Sequence, residues 1–549
     1  MSTEAILPTP TSAAPRAPVN KWLVTLSVSF GTMMASIDSS IVNVALSQIR
    51  SSIGATVQEI TWMSTSFIIA TVLLLPLTGF FGRLFGQKRT YLVCLALFIA
   101  SSFLCGVAWS LPSLVFFRAL QGIGAGLLIP TEQAILQQTW PPEEQGMAMG
   151  LFTTIITVGP AVGPTLGGYI VDNFHWSWIF FINVPIGLLG LVMVWRFVEE
   201  PEDVLAANRA TAELRRRHID WAGIGLLWLG MATLQFVLEE GQRHDWFESR
   251  VISTCLLVAV FSLAAFVLRE LTAVAPAVDL RLFKEPVYAS GAVLGSVMFF
   301  ILTSNLFLLP LFMQELLGFT AMQAGEVLMP RTLVMLVLMP IIGRLYNRVS
   351  PHALIALGLF IIGLAVHRMM RVSLDTGRAE IITAIMLQGL GTSLLFVPLN
   401  VLVFEKVERT RMADATGINT LMRQLGTSTG LALFATLLTR YTAQAQAGLS
   451  AQLVPERPEL YERLSSMVSG LVAGGVEGYE ATEASLRLLA GGLQRQASLL
   501  AFNRVFTLAA LVFALSLPLL GFLWASPSKK AARRASKTEP DEVHLDVEV

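Results

Sequence analysis

Charge is scarce in this chain. Asp, Glu, Lys and Arg make up 14% of its 549 residues, against about 25% in a typical soluble domain, while 54% are hydrophobic and mean hydropathy is +0.65. That balance excludes an ordinary water-soluble domain and points to lipid as solvent. Formal net charge is zero, so no bulk basic field is present to hold nucleic acid. Cysteine is nearly absent. Cys94, Cys105 and Cys255 all lie in apolar runs and read as small buried residues, not as a disulfide or metal framework. The six histidines are scattered and never pair at ligand spacing, so no metal is expected. GFFGRLFGQKR, Gly79 to Arg89, is glycine-bearing and cationic but lacks the G-x-x-x-x-G-K-[ST] spacing of a phosphate loop. No nucleophile–base constellation is visible either, so neither an enzyme nor a cofactor is expected. Residues 1–20, centred on PTPTSAAPRAP, lack a signal-peptide pattern and read as a disordered cytoplasmic tail.

What the chain does have is long apolar runs. About fourteen segments of roughly 18–25 residues are each long enough to cross some 30 Å of hydrocarbon as a helix. They begin near Trp22, Ile60, Thr90, Pro112, Gln145, Trp178, Asp220, Val251, Val287, Ala321, Pro351, Ala379, Met412 and Phe502. An even number puts both termini on one side. Lys and Arg gather after the even-numbered spans: Arg83, Lys88 and Arg89; Arg196, Arg209 and Arg215 to Arg217; Arg269, Arg281 and Lys284; Arg344 and Arg348; Lys406, Arg409 and Arg411; and a cluster from Lys529 to Lys537. By the positive-inside bias both termini are expected in the cytoplasm. Arg368, Arg371 and Arg378 break the pattern. One external segment, 441–500, is long and carries leucines at helical spacing, which predicts an amphipathic helical pair outside the bilayer. It offers either a partner surface or an inert spacer.

The sequence also repeats itself at a period of about 265 residues. QGIGAGLLIP from Gln121 returns as QGLGTSLLFVP from Gln388, and Gly150, Gly159 and Gly163 return as Gly417, Gly426 and Gly430. At that offset Asp38 meets Asn305, and Arg118 meets Ile385. The fold expected is therefore an all-α polytopic membrane protein of two six-helix bundles, 21–198 and 272–526. Two inserted spans with a cytoplasmic linker occupy 199–271, and 527–549 forms a charged tail. The scaffold is duplicated and the charge is not, which assigns ion chemistry to the N-terminal half.

Asp38 lies deep in span 1 and Arg118 inside span 4, both roughly 10–15 Å below the outer surface by helical rise. A charge at the membrane centre costs about 2.5–3.5 kcal/mol on the insertion scale, so such a residue faces a partner or a water-filled cavity. The two are expected to pair, with water reaching Asp38, either as a proton-exchanging site or as a static ion pair that fixes helix packing. Glu132, further along span 4, is a second candidate proton carrier or else an end-of-helix glutamate reaching for water. Met34, Asn43, Gln121, Asn305 and Gln388 are candidate lining residues of a substrate cavity. VGPAVGPTLGG, Val158 to Gly168, combines small residues with two prolines, and is expected to form a tightly packed joint between the bundles.

Together these segments resemble the major facilitator superfamily, and in particular its fourteen-span drug:proton antiporters of the EmrB/QacA type. IDSSIVNVAL, with Asp38 and Asn43, is similar to that family's first-helix aspartate motif. RALQGIGAG, with Arg118, Gln121, Gly122 and Gly124, resembles its fourth-helix proton-transfer motif. GPAVGPTLGG resembles its antiporter motif, through Gly159, Pro160, Gly163, Pro164, Gly167 and Gly168. The loop from Gly79 departs from the family, since an aspartate is usual where Arg83 stands, while Lys88 and Arg89 match. HWSW has Ser177 where arginine is common. The resemblance implies proton-driven export of small hydrophobic compounds across a bacterial inner membrane by alternating access. It also implies a periplasmic adaptor and an outer-membrane channel as partners, for which 441–500 offers a surface. A dedicated exporter of one metabolite or siderophore and a non-transporting receptor or scaffold are the alternatives.

Overall fold

In a computed structural model of the chain, residues 20–208, 219–273, 276–454, 457–518 and 521 are described, and all of their regular structure is helical. The expected tails fall almost wholly outside these residues, as does part of the basic linker before Asp220. Among the described residues fifteen helices carry the architecture, joined by turns and shorter helical segments. They are α1 Lys21–Ile53, α2 Val57–Phe85, α3 Gln87–Gly106, α4 Leu111–Thr139, α5 Gln145–Asn173, α6 Trp178–Phe197, α7 Trp221–His244, α8 Arg250–Thr272, α9 Pro286–Glu315, α10 Ala321–Leu345, α11 Pro351–Met369, α12 Arg378–Leu402, α13 Met412–Ser450, α14 Pro458–Ala473 and α15 Gly478–Ser516. Twelve of them are long and apolar enough to cross a membrane. α1 and α13 are long enough but more polar, and both pack among the apolar helices. In α1 the hydroxyls of Thr25, Ser27 and Ser29 bond back to carbonyls one turn earlier, which lets a serine- and threonine-rich helix lie inside the bundle.

Local chemistry sets the helix ends. Asn20 caps α1 by accepting from the N–H groups of Trp22 and Leu23. Ser110 and Ser113 cap α4 reciprocally with Pro112 in the first turn, which fixes Arg118 two turns inside. Gly86, at φ +89°, makes the α2–α3 turn. A Cβ there would come within 2.6 Å of Glu200 Oε1, which accepts from the Lys88 N–H at 2.7 Å. Burial raises the Glu200 carboxyl above the usual carboxylate range, against the pull of that N–H.

The sequence repeat is a structural repeat. α1 packs on α5 as α9 packs on α13, α2 on α4 as α10 on α12, and α3 on α4 as α11 on α12. Repeated glycines stand at equivalent crossings. A Cβ on Gly124 would meet Phe98 N at 2.8 Å, and one on its counterpart Gly391 would meet Gly358 O at 2.8 Å. Gly150 faces Met339 O on α10, and Gly417 faces Leu75 O on α2. These last two crossings join the halves. α7 and α8 pack on each other, and α7 also touches α2 and α13.

Two expectations change. Gly159, Gly163 and Gly167 do not lie between the halves: they seat α5 on α1, against Ser36, Ser40 and Ile41 of the same half. The inter-half contact uses Gly146 and Gly150 instead, which lie on a different face of α5, roughly 120° around its axis. Gly168 faces open space and Pro164 is exposed, while the Pro160 side chain lies outside the described residues. The external segment forms the expected helical pair, α14 packed on the outer part of α15, but the pair is continuous with the neighbouring spans and not separate from them. α13 runs through to Ser450, and α15 is one helix from Gly478 to Ser516. Gly491 and Gly492 weaken that helix without removing a hydrogen bond, so it continues.

Gly163→Leu should lower the melting temperature of the purified protein by several degrees. Its side chain would enter a space where Ser40 Cβ already lies 2.6 Å from a Cβ, and overpacking costs about 1–3 kcal/mol. Gly168→Leu, with nothing within 4 Å, should leave the melting temperature unchanged.

Candidate functional site

Asp38 has no exposed surface. Its Oδ2 accepts from Arg118 Nη1 at 2.6 Å. Its Oδ1 accepts from Gln121 Nε2 and from Asn183 Nδ2, each at 3.0 Å. Arg118 Nη1 also donates to Gln121 Oε1 at 2.7 Å, and the guanidinium lies 4.2 Å from the centre of the Phe67 ring. Asn183 Nδ2 continues to Ser102 Oγ at 3.1 Å. One carboxylate thus ties together α1, α4 and α6, with α2 and α3 at the edge. Charge-assisted bonds of this kind are about twice as strong as neutral ones. Asp38 and Arg118 come together as expected, and Gln121, expected to line a substrate cavity, is buried in their network instead. Asn183 went unnoticed because HWSWIFFINVPIG reads as an apolar span, and what distinguishes its one amide is the turn at Ile182 that aims it inward.

Water access to Asp38 was expected and is absent in this conformation. Three donors from two neighbouring helices fill the space that a water-filled cavity would occupy. Proton exchange at Asp38 therefore requires this network to open.

Glu132 is equally buried and sits apart from Asp38. Its Oε1 lies 3.4 Å from Ser29 Oγ on α1, and Oε2 has no hydrogen-bond partner. Among the described residues no cation pairs with it. It does not reach for water at a helix end.

The remaining candidates divide. Met34 is buried inside the first half beside Gly187 and Ile99, where it fills core space and lines no cavity. Asn43 is exposed and donates to Ser39 O at 3.2 Å. Asn305, the counterpart of Asp38, is buried and donates to Ile301 O of its own helix at 3.0 Å. Gln388 lines a small apolar cavity with Met298, Ile301, Leu302, Thr392 and Phe396. Gly122 and Gly124 seat α4 against α2 and α3. Arg83 forms an ion pair with Asp414 at the start of α13, across the two halves, and Gly79 leaves the room that Asp414 occupies. Lys88 Nζ donates to Trp195 O at 2.8 Å, and Arg89 is exposed. Asp414 and the polar contacts from Gln133, Gln137 and Gln138 to Asn400 and Arg409 were not singled out from the sequence. All of these join the halves at the end that carries the 83–89 and 403–411 loops.

Asn183→Leu should destabilise the protein by about 1–3 kcal/mol, because it removes a donor from a buried carboxylate without changing side-chain volume greatly. In an Asp38→Asn background the same change should cost markedly less, which a double-mutant cycle of thermal unfolding measures.

The chain matches the family model of the Major Facilitator Superfamily over residues 28–431. It is 34% identical to the multidrug export protein EmrB of Haemophilus influenzae, spanning 91% of this chain and 95% of that protein. It is 32% identical to the multidrug export protein EmrB of Escherichia coli (strain K12), over 91% and 94% of the two chains. It is 31% identical to the fatty acid resistance protein FarB of Neisseria gonorrhoeae, over 90% and 95%. Among solved structures the proton:xylose symporter XylE superposes with a TM-score of 0.57 at 13% identity, covering 87% of this chain and 94% of that one. The human organic anion transporter MFSD10 gives 0.54 at 13%, covering 90% and 99%. At that identity these two speak for the fold alone. The fold, the repeat and the family match agree: this multi-pass membrane protein belongs to the Major Facilitator Superfamily, among relatives of the EmrB type.

Proposed function

We propose that the chain is a proton-coupled antiporter that exports hydrophobic drugs or other toxic small molecules across the bacterial inner membrane by alternating access. The observation that carries this reading is the buried Asp38–Arg118 pair inside one half of a duplicated transporter scaffold. The full-length similarity to export proteins supplies the direction and the substrate class.

In the proposed cycle the halves 21–198 and 272–526 rock about a central cleft. Asp38 is held as an ion while Arg118, Gln121 and Asn183 surround it. When the halves move, the network opens, water reaches the carboxylate, and a proton replaces the lost donors. Glu132 lacks a counter-ion here, and a proton is the smallest species that can neutralise it. Arg83–Asp414 and the Gln133–Asn400 contact hold the cytoplasmic end shut and part when that end opens. Counting α1 and α13 with the twelve apolar helices gives fourteen spans, with both termini in the cytoplasm. The outer parts of α13 and α15, with α14 between them, then project from the far face. α14 has no buried residue, which suits contact with a periplasmic adaptor and through it an outer-membrane channel.

The test is drug-dependent collapse of a pH gradient in inverted membrane vesicles. Asp38→Asn should reduce the drug-dependent proton flux by roughly 100-fold or more, as expected for loss of a group essential to coupling. Glu132→Gln should reduce it less and shift its pH dependence. Unchanged flux in Asp38→Asn removes that carboxylate from the mechanism.

A further inference from the structure

The second half carries buried charge that the proton pathway does not use. Arg423 on α13 is 8% exposed and Arg331 on α10 is 5% exposed. Among the described residues neither forms an ion pair with a carboxylate. Arg423 is the better defined. One terminal nitrogen donates to Asn400 Oδ1, and its guanidinium lies 5.5 Å and 5.6 Å from the ring centres of Phe299 and Phe396. Its Nε has no acceptor. One turn earlier on the same face, Asn419 is fully buried with neither amide atom bonded. Opposite them α9 presents Gly295, where a Cβ would lie 3.6 Å from Arg423 Nε and 3.9 Å from Asn419 Oδ1. Three unpartnered polar atoms and a cation thus face the residue with no side chain. A native structure satisfies such groups or reserves them for something absent.

The surroundings say what is absent. Phe396 borders both this polar corner and the small apolar cavity lined by Met298, Leu302 and Gln388. A cationic, amide-bearing corner that shares the Phe396 ring with a small apolar cavity fits a molecule with one anionic group and an apolar body. A lipophilic cation would meet Arg423 at close range with no acid to offset it. We infer that Arg423 and Asn419 bind the anionic head of a hydrophobic monoanion, such as a carboxylate or phenolate, with its apolar part directed past Phe396 toward α12. This rests on the export reading above and narrows its substrate class.

The corner also touches the contact between the halves. Asn400, which accepts from Arg423, accepts from Gln133 on α4 at 3.3 Å and donates to Thr153 on α5 at 3.5 Å. An anion that draws the guanidinium away from Asn400 loosens that junction, so binding of cargo favours opening of the closed end.

The experiment is equilibrium binding to the purified full chain, with decanoate as the hydrophobic anion and tetraphenylphosphonium as the hydrophobic cation. Arg423→Gln should weaken decanoate binding by at least about tenfold, as expected when one partner of a buried charge pair is truncated. It should leave tetraphenylphosphonium binding unchanged or tighter. Gly295→Leu keeps the cation and fills the space before it, so it too should lose decanoate, and it serves as the test should Arg423→Gln fail to fold. Decanoate binding that survives either variant overturns the assignment. The outcome is separable from that of the export reading: absence of drug-dependent proton flux defeats the pump and leaves this binding result standing, and the reverse holds equally.

Discussion

A carboxylate sunk among apolar helices must be answered by donors, and Asp38 draws three of them from α4 and α6. This requirement organises the first half. α1 can carry a charge at its middle because Arg118 and Gln121 stand one turn apart on α4, and because the break at Ile182 turns Asn183 inward. Glycines then let these helices approach closely enough for the bonds to form. Gly122 and Gly124 bring α4 onto α2 and α3, and Gly159 and Gly163 bring α5 onto α1. Donors brought by separate helices can be withdrawn when those helices move, and a buried charge left without them must take up a proton or find another partner. On the export reading proposed above, a packing feature that is stable in one conformation becomes a coupling device between two.

The two halves show how a repeated scaffold is put to different uses. Equivalent glycines make equivalent crossings, and the inter-half contacts of α5 with α10 and of α13 with α2 are the same contact made twice. Backbone packing is therefore shared. Buried charge without a counter-ion is divided among the described residues: a carboxylate, Glu132, in the first half, and two arginines, Arg331 and Arg423, in the second. Neither set is copied across the repeat. The division suits a protein in which protons and cargo are handled on opposite faces of one cleft.

Much of the architecture was legible because the signals are strong and local. Thirteen of the expected runs begin within a few residues of a helix start, since twenty apolar residues in lipid have no alternative to intrahelical hydrogen bonds. The final run was misread at its start, because α15 continues from the polar segment at Gly478 without a residue that would break it. The Asp38–Arg118 pairing was also legible, for an intramembrane charge demands a partner. Pairing over distance was less so. Nothing in the sequence ties Arg83 to Asp414, or Arg423 to Asn400, and the polar identity of Asn183 is diluted in an apolar stretch.

By itself the sequence determined which segments are helices, that they are duplicated, and which residues are too costly to bury alone, because hydropathy, small-residue spacing and the desolvation of charge act locally. Only the tertiary structure decided which face of α5 meets α1 and which meets α10, that Asp38 is sealed and not wet, and that Arg423 meets no acid among the described residues. Those outcomes depend on how helices rotate about their axes and which neighbours they meet, and a one-dimensional pattern leaves both free.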